Sequence, residues 1–172
     1  MGTMPRHPEH AMSVTPSWLG LVAHLHITAR AFLPMRAMEA IELVPGEGIL
    51  GDRYRIGTEE GFYSAKPEPG RQVTLFEEEA LEAIRRDHGI ELLPEEHRRN
   101  VTTRGVPLTH LVGRRFRLGD CLLEATRLSI PCRHIEEILE KPVFDPMINR
   151  SGLNCRILEG GTVRLGDPIR PA

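Results

Sequence analysis

The stretch RRFRLGDCLLEATRL, residues 114–128, carries the reading of the fold. It reads as two strands, 114–118 and 121–128, because a Gly119-Asp120 pair between two apolar runs is turn chemistry. Cys121, Leu123 and Ala125 share one parity, the period of a strand with one buried face. A second hairpin is expected from 155–158 and 162–165, turned through Gly160-Gly161. The phrase RLGD stands at 117–120 and again at 164–167, an echo that shared turn chemistry explains.

Upstream, Leu19, Leu21, Ala23, Leu25 and Ile27 alternate with His24 and His26, which predicts a half-buried strand. Another strand is expected at 38–43, before Pro45-Gly46. RRNVTTRG, residues 98–105, reads as a strand entered through a basic corner, and 108–112 as one short helical turn. One long helix is predicted after Thr74, with Thr74 as its cap and Glu77 as the capping-box partner. Phe76, Ala80, Leu81 and Ile84 fall on one side of it, Glu78, Glu79, Glu82 and Arg85 face water, and Gly89 stops it. A short amphipathic helix follows at 133–139. Strands outnumber helices and no βαβ rhythm is present. The expected fold is therefore mainly β: a closed or partly closed antiparallel β-barrel with one main and one or more short helices.

A chain of 172 residues supports one hydrophobic core, taken here as a single domain over 18–172 behind a flexible, Pro- and His-rich extension at 1–17. His7 and His10 read as exposed tail residues. Residues 57–70 form a long loop of glycines, prolines and charges, a length associated with mobility or function. Hydrophobic residues at 40% and charged residues at 27% are a globular balance, and a net charge of −2 argues against a general nucleic-acid binder. Residues 11–29 lack Asp, Glu, Lys and Arg but include Pro16, His24 and His26, and read as a tail running into a strand rather than a membrane span. Three cysteines at wide spacing and no signal sequence point to a reducing, cytoplasmic setting.

Cys132 is the leading candidate for chemistry. It follows Ile130-Pro131, where a strand cannot continue, and precedes a short helix whose first amides favour a thiolate. Residues 95–133 hold eight arginines against four acids, so a local anion site is compatible with the acidic whole. Only Lys66 and Lys141 are lysines, and Arg presents a rigid fork suited to phosphate or carboxylate, although biased nucleotide composition produces the same excess. Cys121 and Cys155 share parity with apolar neighbours and read as core. No close CxxC pair supports a zinc site. Gly46, Gly48 and Gly51 form a tight turn without the Lys-Ser/Thr of a phosphate loop. Asp52-Arg53 forms a local salt bridge or orients a loop. Arg98, Arg99 and Arg104 either engage an anion or pair with carboxylates at the barrel mouth. The Asn100 amide either reads a heterocycle or ties a loop to the backbone. His110 and His134 are base candidates by sequence proximity alone, and no hydrolase or zinc-protease signature is present.

GILGDRY at 48–54, RQVTLFEEEALEAI at 71–84, RRNVTTRG at 98–105, LVGRRFRLGD at 111–120, IPC at 130–132 and RSGLNCRILEGGTVRLGD at 150–167 together resemble the MOSC domain, also found at the C-terminus of molybdenum-cofactor sulfurases. The resemblance spans residues 22–168. It implies a β-barrel of the kind also seen in pyruvate kinase and a stand-alone protein connected with molybdenum cofactor (molybdopterin) or sulfur transfer. By this likeness Cys132 is the molybdenum ligand or persulfide carrier. Gly51, Asp52, Arg53, Arg98, Arg99, Asn100 and Arg150 stand at the cofactor-binding loops. The implied activity is molybdenum-dependent reduction of N-hydroxylated small molecules with an external electron donor. The alternatives are a sulfur carrier exchanging with donor and acceptor proteins, and a non-enzymatic interaction domain. Pyridoxal phosphate is not expected, since no aminotransferase-like domain is attached.

Overall fold

The hairpin at Gly119-Asp120 forms as read, and the ring grows from it. The computed structural model describes residues 15–55 and 68–172, which follow the order β1 (Gly20–Ile27), β2 (Arg36–Ala37), β3 (Ala40–Val44), β4 (Gly48–Ile49), β5 (Val73–Glu77), α1 (Glu78–His88), β6 (Val101–Arg104), β7 (Arg115–Leu118), β8 (Cys121–Leu128), α2 (His134–Leu139), β9 (Leu153–Glu159), β10 (Gly161–Arg164) and β11 (Pro168–Pro171). Seven strands close a barrel in the order β11-β7-β8-β9-β5-β6-β1, and β1 meets β11 again through Gly20↔Ile169 and Leu21↔Pro168. Closure leaves these strands no free edge within the ring. Residues 1–14 of the extension expected at 1–17, and most of the loop expected at 57–70, lie outside the described residues.

The barrel is mainly β and closed, as expected, but it is not wholly antiparallel. β5 and β6 run parallel, with Leu75↔Val101 and Glu77↔Thr103 in register. Parallel neighbours need a crossover, and α1 with the segment after it supplies one across the barrel wall. β5 is consequently buried on both sides. Val73 and Leu75 join the barrel interior, which is filled by Leu25, Phe116, Leu118, Leu123, Leu153 and their neighbours. Phe76 points the other way, into a second core with Ala80, Ile84, Ile135, Val143 and Met147.

That double burial corrects the reading of Thr74. It lies inside β5, not at a helix cap; α1 begins at Glu78 with Glu77 at the cap position and no side-chain cap bond. The stop at Gly89 holds: its φ is 66° and its N–H reaches the Arg85 carbonyl. The hairpin expected around Gly160-Gly161 also fails. β9 pairs with β8 along its length and with β5 through Leu153–Cys155, while β10 leaves the barrel and pairs with β3 in a small sheet with β4. In β1 the alternation breaks at a bulge between Val22 and His24. Val22, Leu25 and Ile27 point inward, whereas Leu19 and Leu21 are exposed. An extra residue shifts side chains to the other face, which simple parity does not register.

Candidate functional site

At one end of the barrel, loops and α2 line a cleft open to solvent. One wall is cationic. Arg53 and Tyr54 come from the turn after β4, and Arg98 and Arg99 from the corner before β6. The facing wall carries Phe32 and, from α2, Ile135 and Ile138. Cys132 and His134 stand at the foot of α2 and line the same space. Among the described lining residues there is no carboxylate.

The cationic wall is held from behind. Arg53 donates to the Arg98 carbonyl at 2.9 Å and to the Tyr54 hydroxyl at 3.3 Å. Arg99 donates through Nε to the Ser151 carbonyl at 3.1 Å and through Nη2 to the Ser151 hydroxyl at 2.8 Å. Arg98 takes a left-handed φ of 61°, and its guanidinium reaches the Leu33 carbonyl at 3.0 Å. A left-handed non-glycine conformation costs about 1–3 kcal/mol and persists where neighbours over-determine it. Here the Arg53 bond to its carbonyl and the Leu33 bond to its side chain do so.

Tyr54 sits between two guanidiniums, with the Arg53 and Arg71 carbons 4.5 Å and 4.6 Å from its ring centre. Burial works to raise the phenol's pKa, yet Arg53, Arg99 and Arg71 together hold it below the ordinary tyrosine value. The electrostatic field here therefore favours negative charge.

Asp52 and Asn100 lie beneath this surface rather than on it. The Asp52 carboxylate is buried and accepts the N–H groups of Thr28 at 3.2 Å and Tyr54 at 3.1 Å. Burial pushes its pKa up, against the pull of Arg53 and of hydrogen bonds from Tyr54, Thr28 and Asn100. The Asn100 amide is fully buried and committed: its oxygen accepts from Thr74 N–H at 3.2 Å and Thr74 Oγ1 at 2.8 Å, and its nitrogen donates to the His26 carbonyl at 3.3 Å. Asn100 thus ties β5, β1 and the Asp52 turn together. Gly51 turns that loop with a φ of 81°. Arg150 points elsewhere and pairs with Asp87 of α1 at 3.0 Å, and Arg104 pairs with Glu78 at 2.6 Å.

The three thiols separate cleanly. Cys132 is exposed, while Cys121 and Cys155 are buried in the barrel. Burial pushes Cys121 up to about 11 and Cys155 further still. His110 lies in the turn Leu108–His110 near Glu77 and does not line the cleft. His134 does. Tyr54, Phe32 and Ser151 are additions that sequence alone did not single out. The Tyr immediately after the GDR phrase was the one available signal.

Fold and site together define a small β-barrel protein with one exposed thiol beside an arginine wall. The model of the MOSC domain matches residues 62–170, and the chain belongs to the MOSC domain family, which is associated with the molybdenum cofactor. No curated protein matches the chain. Among solved structures it is similar to the YuaD protein of Bacillus subtilis, at 22% identity over 89% of this chain and 97% of that one, with a TM-score of 0.72. YiiM of Geobacillus stearothermophilus aligns at 11% identity over 89% of this chain and 75% of its own, TM-score 0.67. YiiM of Escherichia coli aligns at 16% over 91% and 70%, TM-score 0.64. These likenesses establish a shared fold. Among the described residues, no helix is long and apolar enough to cross a membrane, and no group of three or more His, Cys, Asp or Glu side chains is arranged to hold a metal ion.

Proposed function

We propose that the Cys132 cleft binds the molybdenum cofactor and that the protein uses it to reduce N-hydroxylated small molecules with electrons from an external donor protein. The observation that carries this reading is the meeting of an exposed thiol with Arg53, Arg98 and Arg99 in one cleft. The donor set fits the group. A soft thiolate suits molybdenum, and planar guanidiniums suit a phosphate through paired N–H bonds. The cofactor brings its own metal ligands, so a single protein thiol suffices without a cluster of ligating side chains. When bound, it supplies the two-electron redox chemistry.

The chain's own residues do the rest. Cys132 serves as the metal ligand, Arg53 and Arg99 hold the phosphate, and the Ser151 bonds keep Arg99 aimed. Asp52, Gly51 and Asn100 hold the loops in place without touching the ligand. Phe32, Ile135 and Ile138 exclude water from one side. The reading places the protein in the cytoplasm, where an exposed thiol stays reduced.

The test is to produce the protein in cells that make molybdenum cofactor and to measure bound molybdenum and pterin in the wild type and in Cys132→Ala. Stoichiometric cofactor lost on substitution is the expected result. A persulfide on Cys132, seen by intact-mass analysis with no molybdenum, replaces this reading with sulfur transfer. Neither cofactor nor persulfide in a folded protein leaves a binding domain without this chemistry.

A further inference from the structure

The two walls of the cleft differ in chemistry. Arg53, Arg98 and Arg99 face Ala31, Phe32, Ile135 and Ile138, and apart from His134 the second wall offers only apolar side chains. Phe32 is the outlier on it. It sits in a turn with a left-handed φ of 72°, a conformation that glycine or asparagine adopts at lower cost. Burial does not offset that strain, since the side chain is 56% exposed. The loop is nevertheless pinned. The Leu33 carbonyl accepts from the Arg98 guanidinium at 3.0 Å, and the Thr28 hydroxyl is shared between the Leu33 and Arg30 carbonyls at 3.4 and 3.3 Å. The Phe32 ring meets that of His134 edge-on, with centroids 4.3 Å apart, and His134 is itself held, its Nδ1 2.8 Å from a Glu137 carboxylate oxygen. A strained residue that its neighbours over-determine, beside a ligand cleft, is an arrangement that clusters at functional sites.

We propose that Phe32 is the specificity-determining residue of the cleft: its ring seats the flat apolar body of the substrate, so the protein selects N-hydroxylated compounds that carry an aromatic ring. The inference deepens the reading of the cleft given above and rests on it. In that reading the cofactor phosphate takes the arginine wall and the metal takes the Cys132 thiol. The wall left for the substrate carries Phe32, Ile135 and Ile138. It offers contact area to a flat ring and little to a small polar hydroxylamine. For an aromatic amidoxime the reaction balances as R–C(NH₂)=NOH + 2e⁻ + 2H⁺ → R–C(NH₂)=NH + H₂O. The N–O bond breaks, nitrogen is reduced and the oxygen departs as water. The electrons come from an external flavin- or haem-class donor protein and the protons from solvent. An aromatic pair adds roughly two- to twelvefold in affinity beyond the burial itself, so a preference of about tenfold is expected.

Two measurements test it. In cofactor-free protein, neutral iodoacetamide alkylates Cys132 at one fixed pH while benzamidoxime or acetamidoxime competes for the cleft. The two competitors share the N–OH head and differ in the body. Benzamidoxime should protect the thiol at roughly tenfold lower concentration than acetamidoxime. Phe32→Gly and Phe32→Asn, both suited to the left-handed turn, should bring the two compounds to within about threefold of each other. Phe32→Tyr, which keeps the ring, should retain the preference. Equal protection or none in the wild type, or an undiminished preference in the folded Gly and Asn variants, overturns the proposal. In protein produced with cofactor and driven by reduced methyl viologen, kcat/KM for benzamidoxime should exceed that for acetamidoxime by roughly tenfold or more. That ratio should fall severalfold in Phe32→Gly, and a ratio left intact also overturns the proposal. Wild-type protein without molybdenum defeats the cofactor reading alone, while the protection assay still decides the role of Phe32.

Discussion

Replacing Asn100 with alanine should destabilise the fold severely, although Asn100 follows two arginines and looks like a ligand contact in sequence. Its amide is fully buried and bridges Thr74, the His26 carbonyl and Asp52. Truncation leaves the Thr74 N–H without the Asn100 oxygen and takes a donor from the Asp52 carboxylate. Each buried group so orphaned costs about 1–3 kcal/mol, which gives about 3–5 kcal/mol for the substitution. That is a large share of the roughly 5–15 kcal/mol that holds a domain of this size folded. The loss should depend on pH. Burial raises the folded-state pKa of Asp52 above its ordinary 3.8. Its ionisation therefore weakens the folded state as pH climbs from about 3.8 through the raised value, and the effect levels off beyond. Removing the Asn100 donor raises that pKa further, so the deficit of Asn100→Ala should be larger at pH 7 than near pH 4. Asn100→Asp, which sets a second carboxyl beside Asp52, should be worse at neutral pH and partly rescued by acid. Urea denaturation of the three proteins at both pH values measures this. A deficit under 1 kcal/mol, or one that does not change with pH, would refute the structural role given to Asn100.

Other residues make shorter predictions. His97 is fully buried; burial, with Arg99 and nearby histidines, holds its pKa well below the ordinary value, and its ring accepts the Arg99 N–H at 2.9 Å. The unfolded chain takes up a proton near 6.5 that the folded site refuses, so stability is complete above that pH and falls below it; His97→Gln should reduce stability at pH 8 and flatten this acid slope in urea titrations. Gly152 has a φ of 91°, and a Cβ there would lie 1.9 Å from the Leu75 carbonyl oxygen. Gly152→Ala should therefore cost about 3–5 kcal/mol from conformational strain plus overpacking, with loss of soluble yield or a lowered Tm as the readout. Thiol titration of native protein should find one reactive cysteine, Cys132, and reveal Cys121 and Cys155 only after denaturation.

What was legible in sequence was local. The 119–120 hairpin, the Gly89 stop and the turn at Leu108–His110 depend on turn and cap chemistry within a few residues, and each formed. Elements set by distant partners were not readable. VTLFE resembles a helix entry because Phe76, Ala80 and Ile84 do share a face, but β5 is buried on both sides and its strand character comes from β9 and β6. Parallel pairing leaves no mark at this length, and β10 finds its partner in β3, far away in the chain. The site divides in the same way. The Cys132 position and the arginine corner were visible as residue types, and the cleft brings Arg53, Arg98 and Arg99 to the thiol. That Asn100 is spent inside, that Arg150 faces Asp87, and that Glu137 orients His134 all follow from three-dimensional contacts that one-dimensional spacing does not encode.

The ring is joined by its first strand and its last. Because β1 bonds to β11, a chain emerging from the ribosome holds β1 and β7 with open flanks until residues 168–171 arrive. Until that strand pairs, β1 and β7 each keep an open backbone margin, and β11 acts as the clasp between them. Deleting residues 168–171 would leave a half-open ribbon inclined to seek strands from other molecules.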